Sequence, residues 1–429
     1  MNARRLLSRA HRPGSTYVLV VGLTALVMTL ALGAIAVARV QARRDRADAD
    51  VTQSRLLAHA AVEMGRFLVK NDPLWRTHYS NGTWGIGTLS DLGNASLEGI
   101  DPNDGDLDDH ELDPLLLIGT GACGAATQAM QITLQAYPKA YGCLEVALYA
   151  GNDVNVNACT VQSDQIVAAG NSINASSAAV YADAEAVNGV NGVTYYGTQT
   201  AGVAARSLPD PTTVFDTYQG RGSRIARSGL PYSTAEGARI IDEVVLSPAS
   251  NPYWPYGTNS RGVYYIECDG DNVCIRNCRI VGTLVLRNAG SASRVEGSVN
   301  WEPAVSNYPA LLVEGNMAFG CSATSLDEQT FFVNFNPCGT PYQGQWDTDL
   351  WDFYPSRIKG LVYIKGNAVA RPGTQTFYGV VIAGNAFTAE AGSVLNLGYD
   401  ATYLNDPPPA FRERVLMKPA PGSYERHVD

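Results

Sequence analysis

Histidine is scarce in this chain. His11, His59, His78, His110 and His427 are the five in 429 residues, and none stands at metal-ligand spacing from another. A histidine-based zinc centre or a serine–histidine triad is therefore disfavoured. Positive charge is also short: 31 Lys plus Arg against 41 Asp plus Glu, a net charge of -10. Phosphate backbones need a basic surface, so a nucleic-acid partner is not expected. Charged residues reach only 17%, below the roughly 25% of an average soluble domain. There are eight cysteines but no C-x-x-C pair, which argues against a zinc ribbon or a thioredoxin-like redox centre. No cofactor is expected. What the chain does have is 45% apolar residues and 42 glycines. That is ample for a core and too apolar for general disorder. The length allows two or three domains at roughly 100–200 residues each.

The N-terminus supplies the longest apolar run. Residues 1–12 form a basic leader with Arg4, Arg5, Arg9 and Arg12, and no charge falls between Pro13 and Ala38. A bilayer core needs about 20 apolar residues in a helix, so residues 13–40 are expected to span one. The competing reading is a cleaved signal peptide, whose apolar core is usually about 7–15 residues. This run is longer and lacks an A-x-A exit. Arg39, Arg43, Arg44 and Arg46 flank its far end, so the positive-inside count is nearly balanced. The short leader and the placement of all eight cysteines beyond the span favour export of the C-terminal portion. The helix is expected to continue as an amphipathic extension over 41–72, with Val51, Ala58, Ala61, Val62, Leu68 and Val69 near one stripe. Asn71 and Pro73 end it.

The segment RPGSTYVLVVGLTALV (Arg12 to Val27) resembles the start of PilX-type pilus-assembly proteins and of secretion-system minor pseudopilins. The resemblance implies a basic leader and a glycine before a long helix that runs on outside the membrane. It also makes Gly14 the prepilin-type cleavage position. Leu19 departs from the Glu that major pilins carry five residues after the cut, a residue that some minor pseudopilins also lack. The implied location is the inner membrane, single-pass, with the remainder in the periplasm or at the cell surface. The implied partners are the lipid bilayer and components of a type IV pilus or type II secretion-like assembly.

Residues 73–145 read as a small pilin-like α+β region. Leu115 to Thr120 and Met130 to Leu134 are expected strands, with Gly121 and Gly124 in the bend between them. Within the acidic run DPNDGDLDDHE, Asp104, Asp106 and Asp108 sit two apart like the first ligands of a calcium loop. The run lacks Gly at the sixth position, and Leu115 occupies the twelfth. It reads first as a solvated acidic loop and second as a structural calcium site.

A repeat organises the rest. Apolar runs ending in Gly-Asn recur at Gly151, Gly170, Gly315, Gly366 and Gly384, and Gly189 keeps the beat without the Asn. The intervals are 19 (151 to 170), 19 (170 to 189), 18 (366 to 384) and 51 (315 to 366), the last near three periods. A fixed period with strand-length apolar runs marks a coiled solenoid. A β-sandwich would space its strands by roughly 8–12 residues without holding one motif in frame. The expected fold is mainly β: one transmembrane helix, a small α+β head, and a right-handed parallel β-helix over 146–411. Excursions are expected at about 194–261 and 320–354, with a C-terminal tail at 412–429.

GLVYIKGN (Gly360 to Asn367), FYGVVIAGN (Phe377 to Asn385) and the closing LNDPPPAF (Leu404 to Phe411) resemble the C-terminal β-helix of exported PilX-like proteins. The period of about 18 is shared more weakly with bactofilin-type polymers (three faces of six,). Pro407, Pro408 and Pro409 lack ladder donors and read as an end cap.

Cys321 and Cys338 are 17 apart and Cys143 and Cys159 are 16 apart, near one period. Stacked residues lie about 4.8 Å apart, within disulfide range. Cys268, Cys274 and Cys278 form a local group, and Cys123 is free to join any partner. The alternative is a set of free buried thiols. The functional reading is a structural surface protein, not an enzyme. The alternative is a protein that binds or cleaves cell-envelope glycan. Its candidate carboxylates are Glu267, Asp269 and Asp271, or Asp347, Asp349 and Asp352 beside Trp346 and Trp351.

Overall fold

The computed structural model describes residues 13–426 apart from Pro73, 88–90, Leu92 and Val193. The basic leader lies outside the described residues. The chain divides into two units, residues up to Tyr137 together with Leu416 onward, and Pro138–Val415.

In the first unit a single helix, α1, runs over Pro13–Asn71 without a break. Thr16 to Ala49 are exposed on every side. From Ser54 a buried stripe begins: Ser54, Leu57, Ala58, Ala61, Val62, Gly65 and Val69. These positions recur at three and four residues, which places them on one helix face. Val51, expected on the stripe, is exposed at 44%. The stripe lies on an antiparallel sheet of β1 (Gly82–Trp84), β2 (Asn94–Ile100), β3 (Leu115–Cys123) and β4 (Ala126–Ala140). Helix and sheet touch at backbone level. A Cβ on Gly119 would stand 2.3 Å from the Ala58 carbonyl oxygen, and one on Gly121 would stand 2.1 Å from that of Ser54. The expected strands and their bend are present, with Cys123 opposite Ala126. The C-terminal segment is not a tail. The strand Arg412–Pro419 lies beside β4, and Glu425 and Arg426 pair with Gln131 and Met130.

The second unit holds a 24-strand sheet, parallel except for one hairpin strand, wound into stacked coils with three faces. On face A the inward column runs Tyr264, Leu284, Leu311, Val362, Val381, Leu148, Val167, Ala184, each in register with the next. The order of this column is not the order of the chain. Coils made by 148–201 stack directly on those made by 238–399, through Val381 opposite Leu148, Phe387 opposite Val154 and Leu395 opposite Val161. The chain therefore enters the stack in its middle and builds outward to one end. It then crosses to the other end and builds back to the seam.

The Gly-Asn corners form one column through that seam. A Cβ on Gly151 would meet the Gly384 carbonyl oxygen at 2.3 Å, and one on Gly170 would meet that of Gly151 at 2.3 Å. Asn385 Nδ2 donates to Asn367 Oδ1 at 2.8 Å, and the Asn171 amide donates to the Asn152 carbonyl at 2.9 Å. Gly189 does not belong to the column. Asn188 takes the corner, its amide donating to the Asn171 carbonyl, and Gly189 pairs with Ser172 in the next strand.

Three boundaries differ from expectation. The first excursion is shorter, because Gln199–Ala201 still pairs with Ala184–Ala186, and Ser223, Arg224 and Ala238–Leu246 already pair with coil strands. The helix Pro211–Arg221 in its middle buries Val214, Phe215 and Tyr218 on the outside of face A. The second excursion begins after Cys321 and returns at Arg357. Its base is anchored by the buried Arg279 guanidinium, which donates to the carbonyls of Phe335, Thr340 and Pro341 at 2.8 Å each. The triple proline does not cap a free end. The preceding strand Ser393–Tyr399 is paired on both edges, by Gly373–Ala383 and by Thr160–Ser163. The prolines lead instead to Phe411, which is buried on face A.

Replacing Gly151 by Ala is expected to cost about 1–3 kcal/mol, because a methyl group there overpacks backbone that has nowhere to move. Gly257→Ala, where nothing lies within 4 Å, is the neutral control. Urea unfolding of the detergent-solubilised chain measures both.

Candidate functional site

The three faces differ outside the core. Face A is covered by the Pro211–Arg221 helix and by the segments around Val146 and Phe411. Face B carries ion pairs. Arg276 bonds Glu236 and Asp242 at 2.7 Å each, and Arg294 bonds Glu296 at 2.8 Å. Face C, around the seam, is open. Its outward column runs Thr376, Asn396, Gln162, Tyr181 in successive register. The Tyr181 ring then stacks on Tyr196, with centroids 4.2 Å apart and planes 4° apart. The two rings are 44% and 63% exposed. The Tyr196 hydroxyl holds the Tyr181 phenol above its ordinary pKa.

Beside this column Gly398 leaves room for the Tyr378 ring, which would stand 2.6 Å from a Cβ there. Arg357 lies 5.5 Å over the same ring. Asp164 and Asp183 flank the surface, each accepting a backbone N–H (Tyr399 at 2.8 Å, Thr198 at 2.7 Å). Three open depressions line this face and its corner, the largest of about 670 Å³ between Tyr181, Gln162, Thr376 and Tyr378. The arrangement offers flat ring surface, amides and hydroxyls at the coil spacing of about 4.8 Å. None of these residues was singled out from the sequence. The signal was present, since Gln162 and Tyr181 are one period apart and Thr376 and Asn396 nearly so.

The sequence-derived candidates fall elsewhere. Gly14 lies in the first turn of α1. In the acidic loop Asp104 and Asp106 accept backbone N–H groups of their own turn, from Asp106 and Asp108, and Asp108 accepts from the Thr77 hydroxyl. The carboxylates that converge there are instead Asp101, Asp109 and Asp113, because the loop doubles back over Arg76. Arg76 donates to the carbonyls of Leu107 and Asp113. Glu267, Asp269 and Asp271 do not face one another across a cleft. Glu267 accepts from Gln219, Asp269 pairs with Arg227, and Asp271 with Arg227 and Arg239. Asp347, Asp349 and Asp352 do gather, around the buried Glu328. Trp346 and Trp351 stay exposed on the same excursion.

No disulfide joins any of the eight cysteines, so the stacked-disulfide expectation finds no support here. Sequence period and ladder position part company here. Cys321 lies opposite Gly297, while Cys338 is exposed on the excursion. Cys274 and Cys278 lie opposite Arg294 and Val299. Cys143 packs in the cluster outside face A and Cys159 in the coil core. Burial pushes the Cys268 and Cys321 thiols up to about 12. It also raises those of Cys143, Cys159, Cys274 and Cys278.

No family model and no curated protein matches this chain. Among solved structures it is similar to the competence-associated pilin ComZ from Thermus thermophilus. The identity is 13% and the TM-score 0.34, over 89% of this chain and 98% of that one.

Iodoacetamide is expected to label Cys338 in the native protein prepared without reductant. The six buried thiols should be spared, because thiolate and access are both needed. In denaturant all eight should react; fewer than eight would restore the disulfides.

Proposed function

We propose that this chain is a membrane-anchored, pilin-like surface protein that displays a rigid right-handed parallel β-helix and works with a type IV pilus or type II secretion-like assembly. The observation that carries this reading is the division of α1. Its first part, through Tyr17, Leu19, Leu23, Leu26 and Leu32, is apolar and exposed, and it is long enough to cross a bilayer. Its second part lays one buried face, Ser54 to Val69, on an antiparallel sheet. A bare apolar helix of this length in water leaves uncompensated apolar area at about 25 cal/mol per Å², and a bilayer removes that cost. Stacked coils, each paired only with its neighbours, make a stiff spacer.

Face C supports a second reading within the first: the displayed coil binds a neutral cell-envelope glycan. The stacked Tyr181 and Tyr196 rings offer the faces on which sugar rings lie, and Gln162, Asn396 and Thr376 offer partners for hydroxyls.

Two outcomes are expected. Mass spectrometry of the protein made with a prepilin peptidase should give Ser15 as the mature N-terminus. An intact Met1 would leave a plain anchor and remove the pilin connection. Replacing Tyr181 and Tyr196 by Ala should weaken retention on purified cell-wall glycan about tenfold, the scale of the roughly 0.5–1.5 kcal/mol each aromatic contact contributes. Equal retention of variant and parent would sink the glycan reading.

A further inference from the structure

We infer that the open tip of the coil, residues 189–202, pairs edge to edge with the same tip of a second copy of this chain, closing a two-fold dimer. The inference goes beyond the reading above and needs neither the anchor nor the glycan.

The two tips of the coil are not alike. At one, the outermost strand Ala238–Asp242 pairs on its inner edge with residues 272–276 and on its outer edge with the antiparallel strand Tyr232–Ser233. Ile225, Leu230 and Tyr253 join the core there, and Arg227 and Arg239 pair with Asp271. That tip is covered and charged. At the other, the last rung is Gly189–Asn191 on face B, residues 194–196 on face C and Gln199–Ala201 on face A. Gln199, Thr200 and Ala201 are all exposed. The Ala184 amide donates to the Thr198 carbonyl at 2.8 Å, and Val180 exchanges bonds with Thr194 and Tyr196 at 3.0 and 2.8 Å. Alternate residues of a strand direct their N–H and C=O to opposite edges, so Gln199 and Tyr195 turn theirs away from the coil. Among the described residues no strand lies in register on that outer edge of Gln199–Ala201.

The side chains stop at the same place. Asn174 Nδ2 donates to Asn155 Oδ1 and Asn191 Nδ2 to Asn174 Oδ1, at 3.1 Å each. This ladder ends at Asn191, whose Oδ1 receives no donor among the described residues. Proteins blunt an exposed edge with Lys, with Pro, with a bulge or with a cover. The tip sequence GVNGVTYYGTQTAG holds no charge and no Pro. One added strand fills one edge, and this tip presents three around a single core. They match a body with the same three faces at the same coil spacing, which a second copy of this tip is. A two-fold axis across the tips sets the partner's strands antiparallel to these, the arrangement in which opposite residues exchange N–H and C=O bonds. It also makes the contact self-complementary. A surface without charge meets its own copy without repulsion. Because the far tip is already filled, the contact closes a pair and does not propagate a filament.

The test is sedimentation of the full chain in detergent, joined to hydrogen exchange read by mass spectrometry. The parent should pass from one chain to two as its concentration rises, with no larger species. At a free-chain concentration of about ten times Kd, the amides of 189–202 should exchange about tenfold slower than at high dilution. Those of the seam around Gly384 should not change. Gln199→Pro removes an outward donor and leaves the Thr198 bond to Ala184, and Ala201→Lys places a charge on the edge. Each should abolish the concentration-dependent protection while the seam stays as protected as in the parent. A parent that remains one chain up to about 100 µM would overturn the contact. So would a dimer whose 189–202 segment exchanges alike at every concentration, or tip protection that persists in both variants. Protection of 189–202 seen only in single chains given cell-wall glycan would replace the second copy by a sugar. A series of species beyond two would overturn the closed pair.

Discussion

The structure depends on how closely one backbone corner can lie on the next. At the Gly-Asn corners the carbonyl oxygen of one coil occupies the place where the next coil's side chain would begin, as at Gly384 below Gly151 and Gly151 below Gly170. At Gly151 and Gly170 glycine is required for want of a Cβ, not for an unusual dihedral angle. The following asparagine ties the corner with a side-chain hydrogen bond to its neighbour, as from Asn385 Nδ2 to Asn367 Oδ1. With the corners in line, every strand between them is forced into register, and inward residues stack on inward residues. The column of leucine, valine and alanine on face A follows from that alignment.

Because the column crosses the seam without a break, the coil does not need the chain to be continuous there. That freedom explains the connectivity. The chain enters beside the place where it leaves: the Tyr399 hydroxyl donates to the Leu144 carbonyl at 2.9 Å and the Tyr141 amide to that of Phe411 at 3.3 Å. Lys139 and Glu413 pair across the same two segments. A domain with adjacent ends can be inserted into another with little disturbance. Here the ingoing segment is the end of β4 and the outgoing one is the strand Arg412–Pro419, neighbours in a single sheet.

Much of this was legible in the residues. The Gly-Asn period, the α1 stripe at Ala58, Ala61 and Val62, the bend at Gly124 and the second excursion all rest on local signals. What was not legible is what period alone does not carry. A count of 17 from Cys321 to Cys338 equals one coil only when both residues lie on the coil, and Cys338 does not. The beat at Gly189 fails for a similar reason: the coil shortens, and the corner falls on Asn188. The permuted order of the coils is invisible because each coil offers its neighbours the same apolar faces. Glu328 gave no signal in sequence, since its charge is gathered with acids some 20 residues away by a loop whose path no periodicity describes.

The outward faces then separate scaffold from surface. On face A, outward residues such as Val285, Leu312 and Tyr363 are apolar, and their strands read as continuous hydrophobic runs because both sides are covered. The cover is held by Arg287, which pairs with Glu314 at 2.7 Å and Asp216 at 2.8 Å and lies 5.6 Å from the Phe215 ring. On face B alternating charges neutralise one another, as Arg276 does Glu236 and Asp242 and Arg294 does Glu296. Near the seam face C has neither cover nor charge pairing along its central column, yet it carries rings exposed to water and amides stacked in register. A chain that can strap one side of the coil and pair the other has the means to close this one as well. That it stays open beside two stacked tyrosines sets it apart from Glu267, Asp269 and Asp271, which are already paired with Gln219, Arg227 and Arg239.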